Sequence, residues 1–363
     1  MNFDFTEDQR RLQEEVRKVL TDHSTSAHVR QVLDGEALYN TDTWQQLAAL
    51  GALGVAIPEQ HGGAGMGLLE LCLVAEEAGR SLAAVPLASS IYMAAQAIGR
   101  AGSAEQQAAW LPRLASGEAI GTAMIAQTGQ RVLSAAAPHL AGGMLTATFN
   151  AVPDGMAAQV MVALVGDALV LVDLTANGVS RTAQKSIDPS RPLAHVVCHA
   201  AGVEVLAASG GAAIAADVTN GAAVLLAFEQ VGGAERALYA ARDYVLERRA
   251  FGRIVGSFQA VKHKLADIYA AVELARAHAY YGAWALATGA AELPRAAAAA
   301  RVAAIEAYTL ASEESLHLHG GIGFTWEMDC HLHLRRARWL GQIIGTEHIW
   351  RERLTSSLIE EAA

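Results

Sequence analysis

The chain has 363 residues, of which 52% are hydrophobic and 18% charged, with a formal net charge of -10. That is enough chain for two or three domains with large cores, and it excludes disorder as the main state. The acidic balance supplies no global field for phosphate polymers or anionic lipid, so nucleic acid and membrane surfaces are poor partners and any anion must be met by a local cluster.

Aromatics are only 6%, so Ala, Leu and Val carry the apolar content, a bias toward helix. The start, MNFDFTEDQRRLQEEV, is acidic and amphipathic, where a secretory signal has a basic start followed by an apolar block. There Leu12, Val16 and Leu20 recur at helical spacing behind Thr6, a capping residue. Helical patterns then cover Thr43 to Leu50, Gly67 to Gly79, Ser90 to Gly102 and Ala104 to Ala115, punctuated by Gly and Pro as in Ile57 to Gly65. Residues 1–118 read as an all-helical domain.

Short β-branched runs follow at Thr146 to Phe149, Gln159 to Val165, Ala168 to Leu174 and Ala194 to Ala200, which predict a small β domain over residues 119–218. The longest uncharged stretch, Val132 to Pro153, is broken by Gly, Pro and polar residues, so no membrane span is expected. Long helical patterns occupy Asn220 to Arg249, Phe258 to Thr288 and Pro294 to His319, and a last one runs from Met328 to about Ser357. They predict a C-terminal bundle over residues 219–363. The fold class is mostly α with a central β domain. Cys72, Cys198 and Cys330 are far apart and never form a CxxC pair, which fits a reducing cytoplasm rather than a disulfide framework.

Two local clusters carry chemistry. Arg248, Arg249, Arg253, Lys262 and Lys264 concentrate positive charge in an acidic chain and form either a local anion site or a solvated face paired with Glu247 or Asp243. His317, His319, His331 and His333 form two H-x-H pairs. Residues two apart on a helix point about 200° apart and share no ligand face. No metal site is expected.

GALGVAIPEQHGGAG (Gly51 to Gly65), VPDGMAAQVMVALV (Val152 to Val165), IDPSRPLAHV (Ile187 to Val196), ERRAFGRIVGSFQAVKHKLAD (Glu247 to Asp267) and HGGIGFTWE (His319 to Glu327) together resemble the acyl-CoA dehydrogenase family of flavoproteins, in the family's order and across nearly the whole chain. The resemblance implies an N-terminal helical domain, a small β-barrel and a C-terminal four-helix bundle. It also implies FAD as cofactor, an acyl-CoA substrate desaturated between its α and β carbons, and an electron-transfer flavoprotein as acceptor. Arg248, Phe251 and Gln259 fall on the family positions that touch the FAD of a neighbouring subunit. A guanidinium suits a diphosphate, an aromatic ring suits a flavin or adenine face, and an amide can hydrogen-bond adenine. Gly320 and Gly321 would let the backbone approach the diphosphate, and His317 stands where the family usually has Gln.

The departures concern catalysis. Where the family has a Tyr-Glu-Gly-Thr string carrying the base, this chain has Ile343-Ile344-Gly345-Thr346, and the alternative base position falls on Ala222 and Ala223. Glu327 matches a structural Glu of the family. Glu229 remains as a candidate catalytic base: it lies seven residues after Ala222, two turns along one helical face, in an apolar segment. It reads equally as a carboxylate pairing with a neighbouring helix. The strings that hold a subunit's own flavin are replaced by Ala126 to Arg131 and by Val152 to Asp154. This asymmetry implies a subunit of a heterotetrameric (α2β2) member that completes its partner's FAD site. GGIGFTWE and GRIVGSFQAVKH are particularly similar to members acting on CoA thioesters of sterol side chains or other bulky acids. A non-catalytic scaffold and a self-associating homotetramer using Glu229 are the alternatives.

Overall fold

The computed structural model describes residues 5–126 and 138–362. Helices α1 (Glu7–His23), α2 (Ser26–Leu33), α3 (Thr41–Ala49), α4 (Leu68–Arg80), α5 (Gln96–Ala101) and α6 (Ala104–Ala115) build the first unit, with a π-helical segment, Leu87–Ala95, leading into α5. Thr6 caps α1 as expected. Its hydroxyl accepts from the Gln9 N–H (3.2 Å), and the Gln9 side chain accepts from the Thr6 N–H (2.9 Å). Val16 and Leu20 are the buried face of that helix. The sequence reading missed α2, whose eight residues are too few for a periodic signal. Tertiary bonds hold it in place, since the Ser26 hydroxyl and the Arg30 guanidinium donate to Asp329, at 2.5 and 2.9 Å.

The β unit comprises β1 (Gly121–Met124), β2 (His139–Ala141), β3 (Met144–Pro153), β4 (Val160–Val165), β5 (Ala168–Asp173), β6 (Val179–Gln184) and β7 (Leu193–Ala207). Its order is β1-β4-β5-β7-β3-β2, with β6 also on β7. The 15-residue β7 serves both halves of the unit: its first part pairs with β3 and β6, and its last part pairs with β5. Near that junction, where the pairing with β3 shifts register between Cys198 and Ala201, Ala200 takes φ 45°. β7 thus joins the two halves of one sheet, and a side chain also links them, Thr122 Oγ1 donating to the Pro153 carbonyl at 2.6 Å.

The last unit comprises α7 (Gly211–Glu247), a hairpin of β8 (Arg249–Ala250) and β9 (Arg253–Ile254), then α8 (Gln259–Thr288), α9 (Leu293–His319), α10 (Cys330–Leu340) and α11 (Glu347–Ala362). α7 starts at Gly211, ahead of both the expected helix start at Asn220 and the expected domain bound at 219, because a residue remote in sequence caps it. The Asp167 carboxylate accepts from the N–H groups of Gly210 (2.8 Å) and Ala212 (3.1 Å). The last helical region, expected from Met328 to about Ser357, consists of two helices separated around Gly341 to Gly345. By length and composition α7 could cross a membrane, but 72% of its apolar window is buried. It is the core helix, packed on α4, α8 and α9.

The α4–α7 crossing is a contact of backbone on backbone. A Cβ on Gly79 would sit 1.7 Å from the Glu229 carbonyl oxygen, and one on Gly232 would sit 1.9 Å from that of Glu76. Glycine on both helices is what lets them approach so closely. Buried carboxylates flank the crossing. Glu77 takes two bonds from Arg17 (2.8 Å each) and one from Arg80 (3.2 Å), while Glu76 bonds Arg276. Burial pushes the Glu76 carboxyl up from its ordinary range, and the charge of Arg276 works against that shift.

Candidate functional site

At the C-terminal end of α7 a cleft of about 420 Å³ opens between Tyr244, Arg248 and Val255 on one side and His319, Gly320 and Gly321 on the other. Arg248 ends the helix: its backbone is extended (φ -67°, ψ 131°) while its N–H still bonds the Tyr244 carbonyl at 2.9 Å. Among the described residues its guanidinium forms no hydrogen bond or ion pair, so the charge at this mouth is uncommitted. Behind it the buried His319 stacks on Tyr244 (4.4 Å between ring centres), and its Nδ1 lies 2.7 Å from the Ser315 carbonyl, to which that nitrogen donates.

The three glycines of the loop after α9 have different reasons. Gly320 adopts φ 65° and ψ -145°, a region that side-chain-bearing residues avoid. At Gly323 a Cβ would meet the Leu316 carbonyl at 2.5 Å. At Gly321 a Cβ would have no atom within 4 Å. Among the described residues nothing demands glycine there, and the bare backbone lines the open cleft.

Phe251 and Gly252 form the two-residue turn of the β8–β9 hairpin, with φ 52° and 79°. This left-handed pair matches the strand twist but strains a phenylalanine. The Phe251 ring is 94% exposed and meets Phe258 edge-on at 6.3 Å. The next residue, Gln259, is exposed on the first turn of α8, its side-chain nitrogen 2.9 Å from His263 Nε2. Arg248, Gly320 and Gly321 therefore share one cleft, whereas Phe251, in the hairpin turn, and Gln259, at the start of α8, do not line it. His317 stands apart, 60% exposed, its Nδ1 3.8 Å from Glu314.

At the place where a subunit of the resembled family would hold its own flavin and acyl group, the described residues enclose a small cavity. Ile343 and Ile344 line a cavity of only about 30 Å³ with Met93, Met124, Ala151 and Pro153, about the liquid volume of one water. Ala222 and Ala223 are wholly buried. Asp154, the acid in the altered flavin string, is 2% exposed and accepts from Ser89 Oγ at 2.6 Å. Burial raises its pKa, and nearby Arg191 opposes the shift. Of the other altered string only Ala126 is described, at the edge of that cavity; positions 127–131 lie outside the described residues. Glu229 is buried in the same interior, and its Oε1 accepts from Arg191 Nη1 at 3.0 Å. The Arg191 guanidinium lies 4.4 Å over the Trp339 ring. Among the described residues the other Glu229 oxygen has no hydrogen-bond partner. Sequence reading did not find Arg191, which belongs to the Ile187 to Val196 string and whose pairing partner lies 38 residues away.

The acyl-CoA dehydrogenase N-terminal domain family matches residues 6–118, and the acyl-CoA dehydrogenase C-terminal domain family matches residues 209–359. Acyl-CoA dehydrogenase IpdE2 of Mycobacterium tuberculosis is 33% identical over 98% of this chain and 98% of its own length. The chain belongs to the acyl-CoA dehydrogenase family. Two solved structures are similar along the whole fold. One is a steroid acyl-CoA dehydrogenase variant, Tcur3481-Tcur3483, with TM-score 0.89 and 32% identity over 98% of this chain and 99% of that one. The other is the ChsE4-ChsE5 complex from Mycobacterium tuberculosis, with TM-score 0.90 and 29% identity over 99% of each chain.

Membership makes the chain an oxidoreductase of a family of FAD enzymes that dehydrogenate acyl-CoA, and it allows the cofactor to be tested against the two places. When bound, FAD in this family accepts hydride from the substrate β-carbon. The rim fits its diphosphate, since an unpaired guanidinium faces a backbone that a Cβ would narrow. Arg248 would neutralise the diphosphate charge, the N–H groups of the Gly320–Gly321 turn would face its oxygens, and Phe251 would cover a ring. The cavity at Ile344, which the described residues Met93 and Pro153 also line, is too small for the tricyclic ring, with room for only about one water.

Proposed function

We propose that this chain is a subunit of a hetero-oligomeric acyl-CoA dehydrogenase that completes the FAD site of a second, dehydrogenase-like subunit and leaves its own interior as structural core. The single observation that carries this reading is the contrast between the open cleft at Arg248 and Gly321, about 420 Å³, and the cavity of about 30 Å³ at Ile344. The similarity to a complex of two different chains and to a steroid acyl-CoA dehydrogenase supports it. The substrate in this reading is a bulky or sterol-derived acyl-CoA, and the electron acceptor is an electron-transfer flavoprotein. The cytoplasm is its compartment.

In the same reading Glu229 supports the core through Arg191, and the partner subunit supplies the base. Glu229→Gln would leave the buried Arg191 charge without its counter-charge, a loss of about 3 to 5 kcal/mol. The test therefore uses the charge-balanced pair Glu229→Gln with Arg191→Gln. In the FAD-loaded assembly, rapid mixing with an acyl-CoA should bleach the flavin at a rate within a few-fold of the unaltered protein. A drop of about two to four orders of magnitude, the usual worth of a general base, would return Glu229 to catalysis. An assembly whose flavin no acyl-CoA bleaches would overturn the dehydrogenase reading itself.

A further inference from the structure

Behind Arg248 the wall of the rim cleft is an imidazole. His319 lines the cleft although only 4% of it is exposed. Three contacts hold its ring. One face stacks on Tyr244 of α7, with 25° between the planes. Nδ1 donates to the Ser315 carbonyl one turn back on α9. The loop closes in at the ring's base, where a Cβ on Gly323 would lie 2.9 Å from the His319 Cβ. Turning the ring breaks the hydrogen bond, and tilting it breaks the stack.

Among the described residues Nε2 forms no hydrogen bond, yet it is not sealed from solvent. A proton on Nδ1 leaves Nε2 of a neutral imidazole with a free lone pair. The cleft thus holds one acceptor among donors, because the Arg248 guanidinium and the N–H groups of the Gly320–Gly321 turn only donate. Diphosphate oxygens match those donors and have no proton to offer Nε2. Hydroxyls do, and in FAD they flank the diphosphate on both sides, on the ribityl chain and on the adenosine ribose. We propose that His319 Nε2 accepts a hydrogen bond from a sugar hydroxyl of the FAD completed at this cleft, a contact that recognises the sugar where Arg248 recognises the charge. This contact rests on the FAD reading.

The test is a binding cycle on the two-subunit assembly, stripped of flavin and reloaded either with FAD or with FAD analogues that each lack one ribityl or one ribose hydroxyl. In the unaltered assembly at least one analogue should bind about two- to tenfold more weakly than FAD, the worth of one neutral hydrogen bond, and its identity tells which sugar is held. In His319→Phe, which keeps a ring on Tyr244 without Nε2, that analogue and FAD should bind alike. His319→Gln, whose amide oxygen can accept, should recover part of the difference. Comparing two ligands within one variant cancels any general loosening of the cleft. A difference that persists undiminished in His319→Phe, or no difference for any analogue in the unaltered assembly, would overturn the proposal. Histidine 15N resonances of the unaltered assembly need no variant: one unprotonated ring nitrogen should shift when FAD loads, and none shifting contradicts the contact. An assembly that takes up no flavin overturns the FAD reading and this contact together, whereas FAD taken up without these responses overturns the contact alone.

Discussion

Gly79→Ala should destabilise the chain by about 3 kcal/mol or more, the upper end of what overpacked cores lose. The added methyl would lie 1.7 Å from the Glu229 carbonyl oxygen, and a backbone atom on a buried helix cannot rotate away. α4 and α7 must separate, which also loosens the buried pairs of Glu76 and Glu77 that span the crossing. Against a total stability of about 5 to 15 kcal/mol, much of the chain's margin disappears. Gly99→Ala is the control. It lies within α5, and its Cβ would meet nothing within 4 Å, so the better helix former should stabilise by about 0.5 to 1 kcal/mol. Urea denaturation of both variants checks the pair, and equal midpoints would show that the helices have slack at their crossing.

Arg248→Ala in the assembly that holds FAD should remove a charge-assisted contact worth about 1.5 to 3 kcal/mol, which corresponds to flavin binding weaker by about ten- to 150-fold. Flavin fluorescence released on dilution reads this directly. Arg242→Ala, one to two turns earlier on α7 and paired with Asp243 at 2.7 Å, should leave retention unchanged. If Arg248→Ala also leaves it unchanged, Arg248 belongs to a solvated face and the cleft has another use.

Local signals carried the parts of the fold that local physics decides. Ala104–Ala115 was read to the residue because Ser103 and Gln106 cap it within one turn. The Thr6 cap was legible for the same reason. What was missed depends on residues far away in sequence. β1, Gly121–Met124, has little β-branched character and exists because it pairs in parallel with β4. α7 begins where Asp167, from the turn after β4, can reach its first N–H groups.

The site divides in the same way. Arg248, Gly320 and Gly321 were nominated by motif, and the chain folds them into one cleft. His317, nominated with them, stands outside it. Helical spacing brought attention to Glu229, but its ion pair with Arg191 is a contact between α7 and the segment before β7 that no periodicity encodes. The small cavity at Ile344 was half legible: the sequence showed Ile344 and Ala222 without carboxylates, while the narrowing of that cavity by Met93 and Pro153 needed coordinates.

The measurement that bears most directly on a chain that lends residues to a flavin it does not hold is the ratio of flavin to protein, read from the visible absorbance of the chain purified alone and again after co-purification with its partner subunit. The account predicts a colourless chain when alone and, in the complex, FAD equimolar with the partner. A yellow protein with near-equimolar FAD, obtained from this chain by itself, would contradict it.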